Sequence, residues 1–440
     1  MQKSSDINKT VHNFLQKMQM DNQSIDVDRN CGQFILEMEN GLFGKKSSLK
    51  MIPTYLTLGG DVPCDKPVIV LDAGGTNLRV SVLRFAKDGR PQIEYFENYK
   101  MPGVEKEISS DDFFEIVTSY LLPVINKSDR IGFCFSYAAK PTQDMDGEII
   151  EMGKQLRIKD FIGKKLGQCL KNSLKSQGIK EDKKVVVLND SVATLLGGKA
   201  ASGNREYSGY IGFILGTGTN TCYAEKLDYI KKDRVRLVDC DPMIINMETC
   251  GYDKFSRSDV DLQLDAGTID PGHASFEKMI SGKYQGDVLK YLVTAAIKEG
   301  LFSSHFINYF NRNIETISGK EIDNFLFYPY GNNKLAQGCD CFEDDCVTLF
   351  YLIDAIAERS AKLVMINFAS VLLKTGQGTN PCRPVCIMAE GSTFNNSRLF
   401  KGKLEFYIKK YMNEKMNLYC DIMQAENATL IGTAIAALVN

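Results

Sequence analysis

The chain has 440 residues, of which 44% are hydrophobic and 25% are charged, and this composition is typical of a globular protein with a sizeable buried core. Its 53 basic and 55 acidic side chains leave a formal net charge of −2, which argues against a nucleic-acid surface or an acidic membrane as partner. No apolar stretch reaches transmembrane length and no hydrophobic signal core begins the chain, so we expect a cytosolic protein of two domains.

The reactive side chains favour carboxylate chemistry. Only three histidines occur, and none neighbours an evident nucleophile, so a carboxylate is the expected proton acceptor. The thirteen cysteines are scattered and are expected to be reduced and mostly structural. One cluster, Cys339, Cys341 and Cys346, lies in an acidic segment. A metal site and an exposed loop are both compatible with it, but the spacing matches no paired zinc knuckle and therefore favours the loop.

Two amphipathic helices are predicted near the amino terminus, one carrying Val11, Phe14, Leu15 and Met18 and one carrying Phe34, Ile35 and Met38. The next strong pattern runs from Val68 to Phe85, where two apolar strands flank the turn Asp72–Asn77. Glycines in that turn let backbone N–H groups close on an anion, and the acid beside them suits a phosphate that arrives with a cation. The turn is therefore either a phosphate clamp for Mg-nucleotide or a plain hairpin.

Strands and helices then alternate. The patterns predict strand 93–99, helix 111–122 capped by Ser110, strand 131–136, helix 163–176 and strand 185–188. This alternation indicates an α/β sheet whose functional groups lie at strand ends.

Asp190 is the candidate proton acceptor, because it directly follows the apolar strand 185–188 and stands beside Asn189. A partly desolvated carboxylate there can accept a hydroxyl proton while the amide binds the same substrate. The alternative is an N-cap for the helix predicted from Ser191, and spacing alone favours the cap.

The opening pattern then recurs. Strand 210–215 leads into the turn Gly216–Asn220, and strand 221–225 follows it. Two strand–turn–strand units suggest two related lobes that face one ligand. The remaining predicted elements are strand 243–248, helices 275–278, 288–300 and 347–373, strand 384–388, and a final helix within 425–440. As isolated residues, Lys154, Glu248 and Glu277 are most simply interpreted as surface charges.

A series of motifs in a fixed order resembles the hexokinase family from about Gly32 onward. The matching segments are Ser48–Tyr55, Asp72–Arg79, Phe133–Tyr137, Leu188–Asp190, Leu215–Asn220, Ile245–Glu248, Asp270–Gly272, Phe276–Tyr284, Gly391–Ser392 and Thr429–Ala437. The series is far more specific than any of its members.

The resemblance implies an α/β protein with the two-lobed actin-like ATPase (ribonuclease H-like) fold. It places residues 66–195 and the carboxy-terminal helix 431–440 in a small domain, and residues 1–65 and 196–430 in a large domain. It further implies ATP-dependent phosphorylation of a hexose at the 6-hydroxyl, with glucose favoured and mannose and fructose also accepted. Hexose and Mg-ATP are the expected partners of a monomer or homodimer.

The resemblance also assigns roles, with Asp190 as the general base. The residues expected to hold sugar hydroxyls are Ser136, Tyr137, Lys154, Asn189, Asn220, Glu248 and Glu277. The residues expected to bind the nucleotide are Asp72, Ala73, Gly74, Gly75, Thr76, Asn77, Arg79, Thr217, Gly218, Lys283, Gly391 and Ser392. No direct metal ligand is assigned, because the Mg²⁺ arrives with ATP near Asp72.

The chain departs from the family pattern at several positions. Ala138 stands where proline is usual, Gly153 replaces a threonine, and Thr249-Cys250 replaces Trp-Gly. Glu390 replaces an aspartate, and Ala428 and Leu430 replace glycines. Loss of one neutral hydrogen bond costs about 1 kcal/mol, so weaker or broader sugar binding is expected rather than inactivity. The alternatives are a non-catalytic sugar-sensing protein of the same fold and an actin-like structural ATPase, and the sugar-side residues argue against the second.

Overall fold

The computed structural model describes residues 2–151, 156–203, 205–232, 242–340 and 342–440, with side chains from residue 6 onward. The strands are β1 (Ile52–Thr57), β2 (Val68–Ala73), β3 (Asn77–Phe85), β4 (Pro91–Lys100), β5 (Ile108–Ser109), β6 (Arg130–Phe135), β7 (Ala139–Pro141), β8 (Gly147–Ile149), β9 (Ile158–Lys159), β10 (Lys184–Leu188), β11 (Gly209–Leu215), β12 (Thr219–Glu225), β13 (Met243–Asn246), β14 (Val385–Glu390) and β15 (Cys420–Met423).

The α-helices are α1 (Gln2–Lys17), α2 (Val27–Leu42), α3 (Ser110–Leu121), α4 (Leu166–Ser176), α5 (Asp190–Ala201), α6 (Asp259–Gly267), α7 (Ser275–Ile280), α8 (Gly282–Lys298), α9 (Ser304–Asn313), α10 (Gly319–Phe327), α11 (Lys334–Gly338), α12 (Glu343–Thr375), α13 (Ser392–Asn396), α14 (Phe400–Tyr407) and α15 (Ala428–Val439). A π-helical segment, Ile408–Met416, continues α14. None of the helices in the described ranges combines the length and the apolar character that crossing a membrane requires.

A five-stranded sheet in the order β10-β6-β2-β3-β4 forms the first layer that positions the site. Strands β10, β6 and β2 run parallel, while β3 returns antiparallel to β2. The carboxyl ends of three neighbouring strands therefore meet at one edge, and the segments that follow them begin at Gly74, Ser136 and Asn189.

A six-stranded sheet in the order β1-β13-β12-β11-β14-β15 forms the second layer. Strands β11 and β12 form a hairpin, and β14 runs parallel to β11. The hairpin turn at residues 216–218 and the end of β14 at Glu390 therefore lie side by side.

Helices α5 and α15 pack against each other between the two sheets. Helix α5 contacts β11 and β14, whereas α15 contacts β2 and β6. Two glycines permit this packing, because a Cβ on Gly432 would lie 1.7 Å from the Ala193 oxygen and one on Gly212 would lie 2.2 Å from the Ser191 oxygen. The amino end of α5, which carries Asp190, is thus held where the sheets approach each other.

A separate apolar core joins α1, α6 and α8–α12. Within it, Arg359 on α12 pairs with buried Asp261 on α6, with 2.5 Å between Nη2 and Oδ2. Cys339 and Cys346 are also buried in this core, 5% and 4% exposed, so the expectation of an exposed loop is wrong for these two cysteines, although residues 340 and 342–344 between them are exposed. The reason is that Cys339 directly follows α11 and Cys346 lies in the first turn of α12, where both pack inward. Cys341 lies outside the described residues, and within them no group of three or more side chains could hold a metal ion.

Most predicted elements are present, and the differences lie at helix starts. The cap of α3 is Ser109 and not Ser110, because Ser109 Oγ accepts the Asp112 N–H at 3.1 Å and the Asp112 carboxylate accepts the Ser109 N–H. Helix α8 begins at Gly282 and not at residue 288, since its first turn is not apolar. The predicted domain boundaries at residues 195 and 431 fall within α5 and α15, and they stay predictions.

Candidate active site

A cleft of about 590 Å³ gathers residues from both sheets. Sixteen of the side chains or turns predicted to act in the site line it: Asp72, Gly74, Gly75, Thr76, Asn77, Arg79, Ser136, Tyr137, Asn189, Asp190, Thr217, Gly218, Asn220, Glu248, Glu277 and Gly391. Residues far apart in sequence are thus brought together, which is the arrangement that two facing strand–turn–strand units predict.

The structure places three predicted nucleotide residues outside the lining of the cleft. Ala73 is fully buried in β2, and Ser392 is the first residue of α13. Lys283, near the start of α8, has its ammonium 4.7 Å from the centre of the Tyr284 ring. Lys154 lies outside the described residues.

Asp190 lies at the start of α5, where its environment destabilises the carboxylate. Burial raises the pKa of Asp190 to about 7, and the charges of Glu248 and Asp72 act in the same direction. The Ser191 N–H and the Ser136 hydroxyl oppose this shift. A carboxyl with a pKa near neutrality is suited to accept a proton at physiological pH.

The capping role belongs chiefly to Asn189. Its Oδ1 accepts hydrogen bonds from the Ser191 N–H at 2.9 Å and the Ser191 hydroxyl at 2.7 Å. Asp190 Oδ1 also accepts the N–H of Ser191, at 2.8 Å. The helix cap therefore does not require Asp190, which lines the cleft.

An amide and carboxylate network forms one wall of the cleft. Asn220 Nδ2 donates to Asn246 Oδ1 at 2.8 Å and to Glu248 Oε1 at 3.3 Å, and Asn246 Nδ2 donates to Glu248 Oε1 at 2.8 Å. Both amides are buried, whereas Glu248 adopts the left-handed conformation with φ 55° and ψ 52°. Strain of this kind persists where surrounding bonds impose it, and here it aims a carboxylate into the cleft.

Glu277 on α7 closes the same wall. Its Oε2 accepts the Thr219 N–H at 3.2 Å, and a Cβ on Gly218 would lie 2.6 Å from that oxygen. Burial raises the pKa of Glu277, while Thr219 and the Lys283 charge lower it. The carboxylate thus connects this wall to the turn at residues 216–218.

Glycine turns form the other part of the cleft. Gly391 has φ 119°, and a Cβ there would lie 2.3 Å from the Leu215 oxygen, so only glycine fits where β14 ends against β11. The turn after β2 closes with Gly74 N donating to Asn77 O at 3.0 Å. Gly75, Thr76 and Asn77 in this turn are exposed, and the backbone of an exposed glycine turn suits phosphate oxygens.

Two carboxylates on the glycine side could serve a divalent cation. Burial raises the pKa of Asp72, although Arg79 opposes the shift through a 3.1 Å contact with Oδ2. Burial likewise raises the pKa of Glu390, and Asp72 adds to this effect. Because burial disfavours both anions, a hard cation ligated by oxygen would relieve the cost, and the residues present fit Mg²⁺.

Tyr137 links the two parts of the cleft. Its hydroxyl donates to the Gly75 oxygen at 2.8 Å, so the loop after β6 is tied to the turn after β2. Burial raises the pKa of Tyr137 to about 12, and the hydroxyl therefore stays protonated as a donor.

Sequence reasoning did not assign several further residues to the site. Ile214, Thr219, Cys250, Glu390 and Thr429 line the cleft, and Asn246 supports it from behind. The sequence could have indicated Asn246 as a site residue, because it is the polar residue that ends the apolar strand β13. The others are brought in only by sheet pairing and by helix α15.

The fold and the cleft define a two-lobed α/β protein of the actin-like ATPase class, and comparison with known proteins identifies the family. Two family models described as hexokinase match residues 10–200 and 210–439. The chain belongs to the hexokinase family, so the predicted family and fold are confirmed.

Curated relatives are distant in sequence. Human hexokinase-2 is 26% identical, with 92% of this chain and 46% of the relative covered. Hexokinase-1 of Schizosaccharomyces pombe is 25% identical, with 98% of this chain and 91% of the relative covered. The chain spans about half the length of the mammalian relatives that it matches.

Solved structures share the whole fold. A hexokinase from Schistosoma mansoni complexed with glucose matches with a TM-score of 0.73 at 20% identity, with 99% of both chains covered. Another hexokinase crystal structure matches with a TM-score of 0.76 at 20% identity, with 99% of this chain and 98% of that chain covered.

Proposed function

We propose that the chain transfers the terminal phosphoryl group of ATP to the 6-hydroxyl of a hexose, giving hexose 6-phosphate and ADP. The observation that carries the proposal is the position of Asp190, a carboxyl with a pKa of about 7 between a polar wall and glycine turns in one cleft. Membership of the hexokinase family supports the same reaction.

In this mechanism Asp190 accepts the proton of the attacking hydroxyl as the oxygen bonds to phosphorus. Asn189, Asn220, Glu248 and Glu277 provide amide and carboxylate groups that orient the other hydroxyls of the sugar. Phosphoryl transfer depends mainly on positioning and electrostatic stabilisation, and a preformed polar wall supplies the positioning.

The glycine turns would hold the phosphates of ATP. Thr217, Gly218 and Gly391 from one sheet face Gly74 and Gly75 from the other. Mg²⁺ held near Asp72, with Glu390 beside it, would neutralise charge on the phosphates. Exclusion of water by approach of the lobes would prevent hydrolysis of ATP.

Glucose is the favoured substrate, with mannose and fructose also accepted. Ala138 lines the cleft where the family usually has proline, and Cys250 lines it next to the Glu248 wall. These departures lie on the sugar side, so we expect them to change the affinity for the sugar more than the rate of phosphoryl transfer. A cytosolic location and a monomeric or homodimeric state stay predictions.

Sugar-dependent release of ADP by the purified chain tests the proposal, with glucose, mannose and fructose supplied separately. Asp190→Ala is expected to lower kcat by about 10²–10⁴-fold while hexose binding is largely retained, because the proton acceptor is removed and the polar wall is not. Asp259→Ala, which removes an exposed acid from the first turn of α6, is the matched control and should leave kcat unchanged.

Absence of turnover with all three sugars would reject the kinase. Hexose binding without ADP release would instead support the non-catalytic sugar-sensing protein. A near-normal kcat in Asp190→Ala would remove Asp190 as the base.

A further inference from the structure

A second cavity, also about 590 Å³, lies between the start of α2, the middle of α12 and the π-helical segment Ile408–Met416. It shares no lining residue with the cleft. We call it the lysine pocket, after Lys362, Lys410 and Lys415, which line it together with Phe406 and Tyr411. π-Helical segments are rare and occur frequently at functional sites.

The three lysines gather around one aromatic ring. The ammonium nitrogens of Lys362, Lys410 and Lys415 lie 5.2, 5.6 and 4.7 Å from the centre of the Tyr411 ring. Three cations gathered around one ring repel one another, and a bound anion would offset that repulsion. Within the described residues, no carboxylate forms an ion pair with any of the three.

Lys362 is the most informative of the three, because it is only 3% exposed. Its Nζ donates to the Asn22 carbonyl oxygen at 2.8 Å, and this bond does not neutralise the charge. Burial lowers the pKa of Lys362 and the charge of Lys410 lowers it further, whereas Tyr411 and Asp21 act in the opposite direction. A buried cation without an ion-paired carboxylate is costly, and a bound anion would offset that cost.

The carboxylates of the pocket are partly committed to other contacts. Asp26 Oδ1 accepts the Arg29 N–H at 3.0 Å as the cap of α2, and Glu358 Oε1 accepts the Tyr407 hydroxyl at 2.8 Å. Asp28 also lines the pocket, as do Asn22 and Gln23. These acids and amides suit hydroxyl groups, and the exposed Phe406 ring offers an apolar face for a carbon skeleton.

We propose that the lysine pocket binds the phosphate monoester of a small polyol that carries no nucleobase. Lys362, Lys410 and Lys415 hold the phosphate, while the acids and amides at the start of α2 accept or donate to the hydroxyls. The site is separate from the cleft and does not depend on the proposed reaction.

The absence of tryptophan from the chain allows a local test. Phe406 lines the pocket and is 53% exposed, so Phe406→Trp introduces a single fluorescent reporter there. The full chain is titrated with glycerol phosphate, inorganic phosphate and AMP at constant ionic strength, without hexose or ATP. Saturable quenching is expected with glycerol phosphate, at an affinity higher than that for inorganic phosphate.

Charge removal gives the decisive comparison. In the Phe406→Trp background, Lys410→Gln with Lys415→Gln should weaken binding of glycerol phosphate about tenfold or more, because charge-assisted hydrogen bonds are lost. Lys409→Gln is the matched control, since this exposed neighbour does not line the pocket, and it should leave the affinity unchanged. Asp190→Ala should also leave it unchanged, which separates the pocket from the cleft.

Three results would overturn the proposal: no saturable signal with any phosphate, equal weakening by Lys409→Gln, or equal affinity for inorganic and glycerol phosphate. Preference for AMP over glycerol phosphate would also overturn it, since a base and not a polyol would then be recognised. Calorimetric titration of the unsubstituted chain and of Lys410→Gln/Lys415→Gln repeats the comparison without the reporter, in case Phe406→Trp perturbs the pocket.

Discussion

The two parts of the cleft differ in how they are held. On the proposed sugar side, Asn220, Asn246 and Glu248 bond to one another, so side-chain hydrogen bonds order the wall. On the proposed phosphate side, order comes from backbone turns, and the close approach of Gly391 to the Leu215 oxygen leaves no room for a Cβ. Substitutions in the wall of Asn220, Asn246 and Glu248 should therefore act by breaking side-chain hydrogen bonds. Substitutions in the glycine turns should instead act by straining the backbone.

The largest effect is expected from Gly391→Ala on the phosphate side. A Cβ would lie 2.3 Å from the Leu215 oxygen at a φ of 119°, so the turn must shift and the free energy of unfolding should fall by ~2–4 kcal/mol. Denaturant unfolding measures the loss, and the KM for ATP should rise more than that for hexose.

Gly32→Ala is the control for this substitution, because nothing lies within 4 Å of its Cβ position in helix α2. That change should be neutral or stabilising by up to ~1 kcal/mol. Equal stability of the two variants would contradict backbone strain as the determinant of the phosphate side.

The pH dependence of kcat/KM tests the carboxylate that lies between the two sides. Asp190 must be ionised to accept a proton, and its pKa is about 7, so kcat/KM should fall about tenfold per unit as the pH decreases below 7. Steady-state rates measured from about pH 5 to about pH 8, the range in which such a group titrates, provide the measurement.

Glu248→Gln sharpens this test. The Glu248 charge raises the pKa of Asp190, so its removal should move the acid limb of the profile to lower pH. An unchanged limb would show that another group controls the rate.

Asn220→Ala should disturb the sugar side specifically. It removes the donor to buried Asn246 Oδ1, while Glu248 Oε1 keeps its bond from Asn246 Nδ2, and the lost bond should cost ~1–3 kcal/mol. The KM for hexose should rise by about tenfold or more, while the KM for ATP changes little. Asn172→Ala, on the exposed face of α4, should change neither value; a rise in the KM for ATP alone would contradict the division of the cleft.

The sequence predicted the strand ends well, because apolar runs stop at Asp72, Asn189 and Gly216. It could not predict how the sheets bring Glu390 and Thr429 into the cleft, since such contacts depend on which strands pair and on where α15 packs. The prediction that Cys339 and Cys346 lie in an exposed loop failed for a related reason. Its acidic residues suggested solvent, but the helices α11 and α12 turn Cys339 and Cys346 inward.

The smallest effect concerns Tyr137, which connects the loop after β6 to the turn after β2. Tyr137→Phe removes the bond to the Gly75 oxygen and leaves the ring in place, so the expected cost is ~1 kcal/mol, or about fivefold in affinity. If the bond couples the two sides, the KM values for hexose and ATP should rise together, and each ligand should lose part of its effect on the affinity for the other. Tyr330→Phe, at an exposed ring, is the control and should change neither. A rise in only one KM would mean that Tyr137 supports one side alone, and that the two sides are ordered independently.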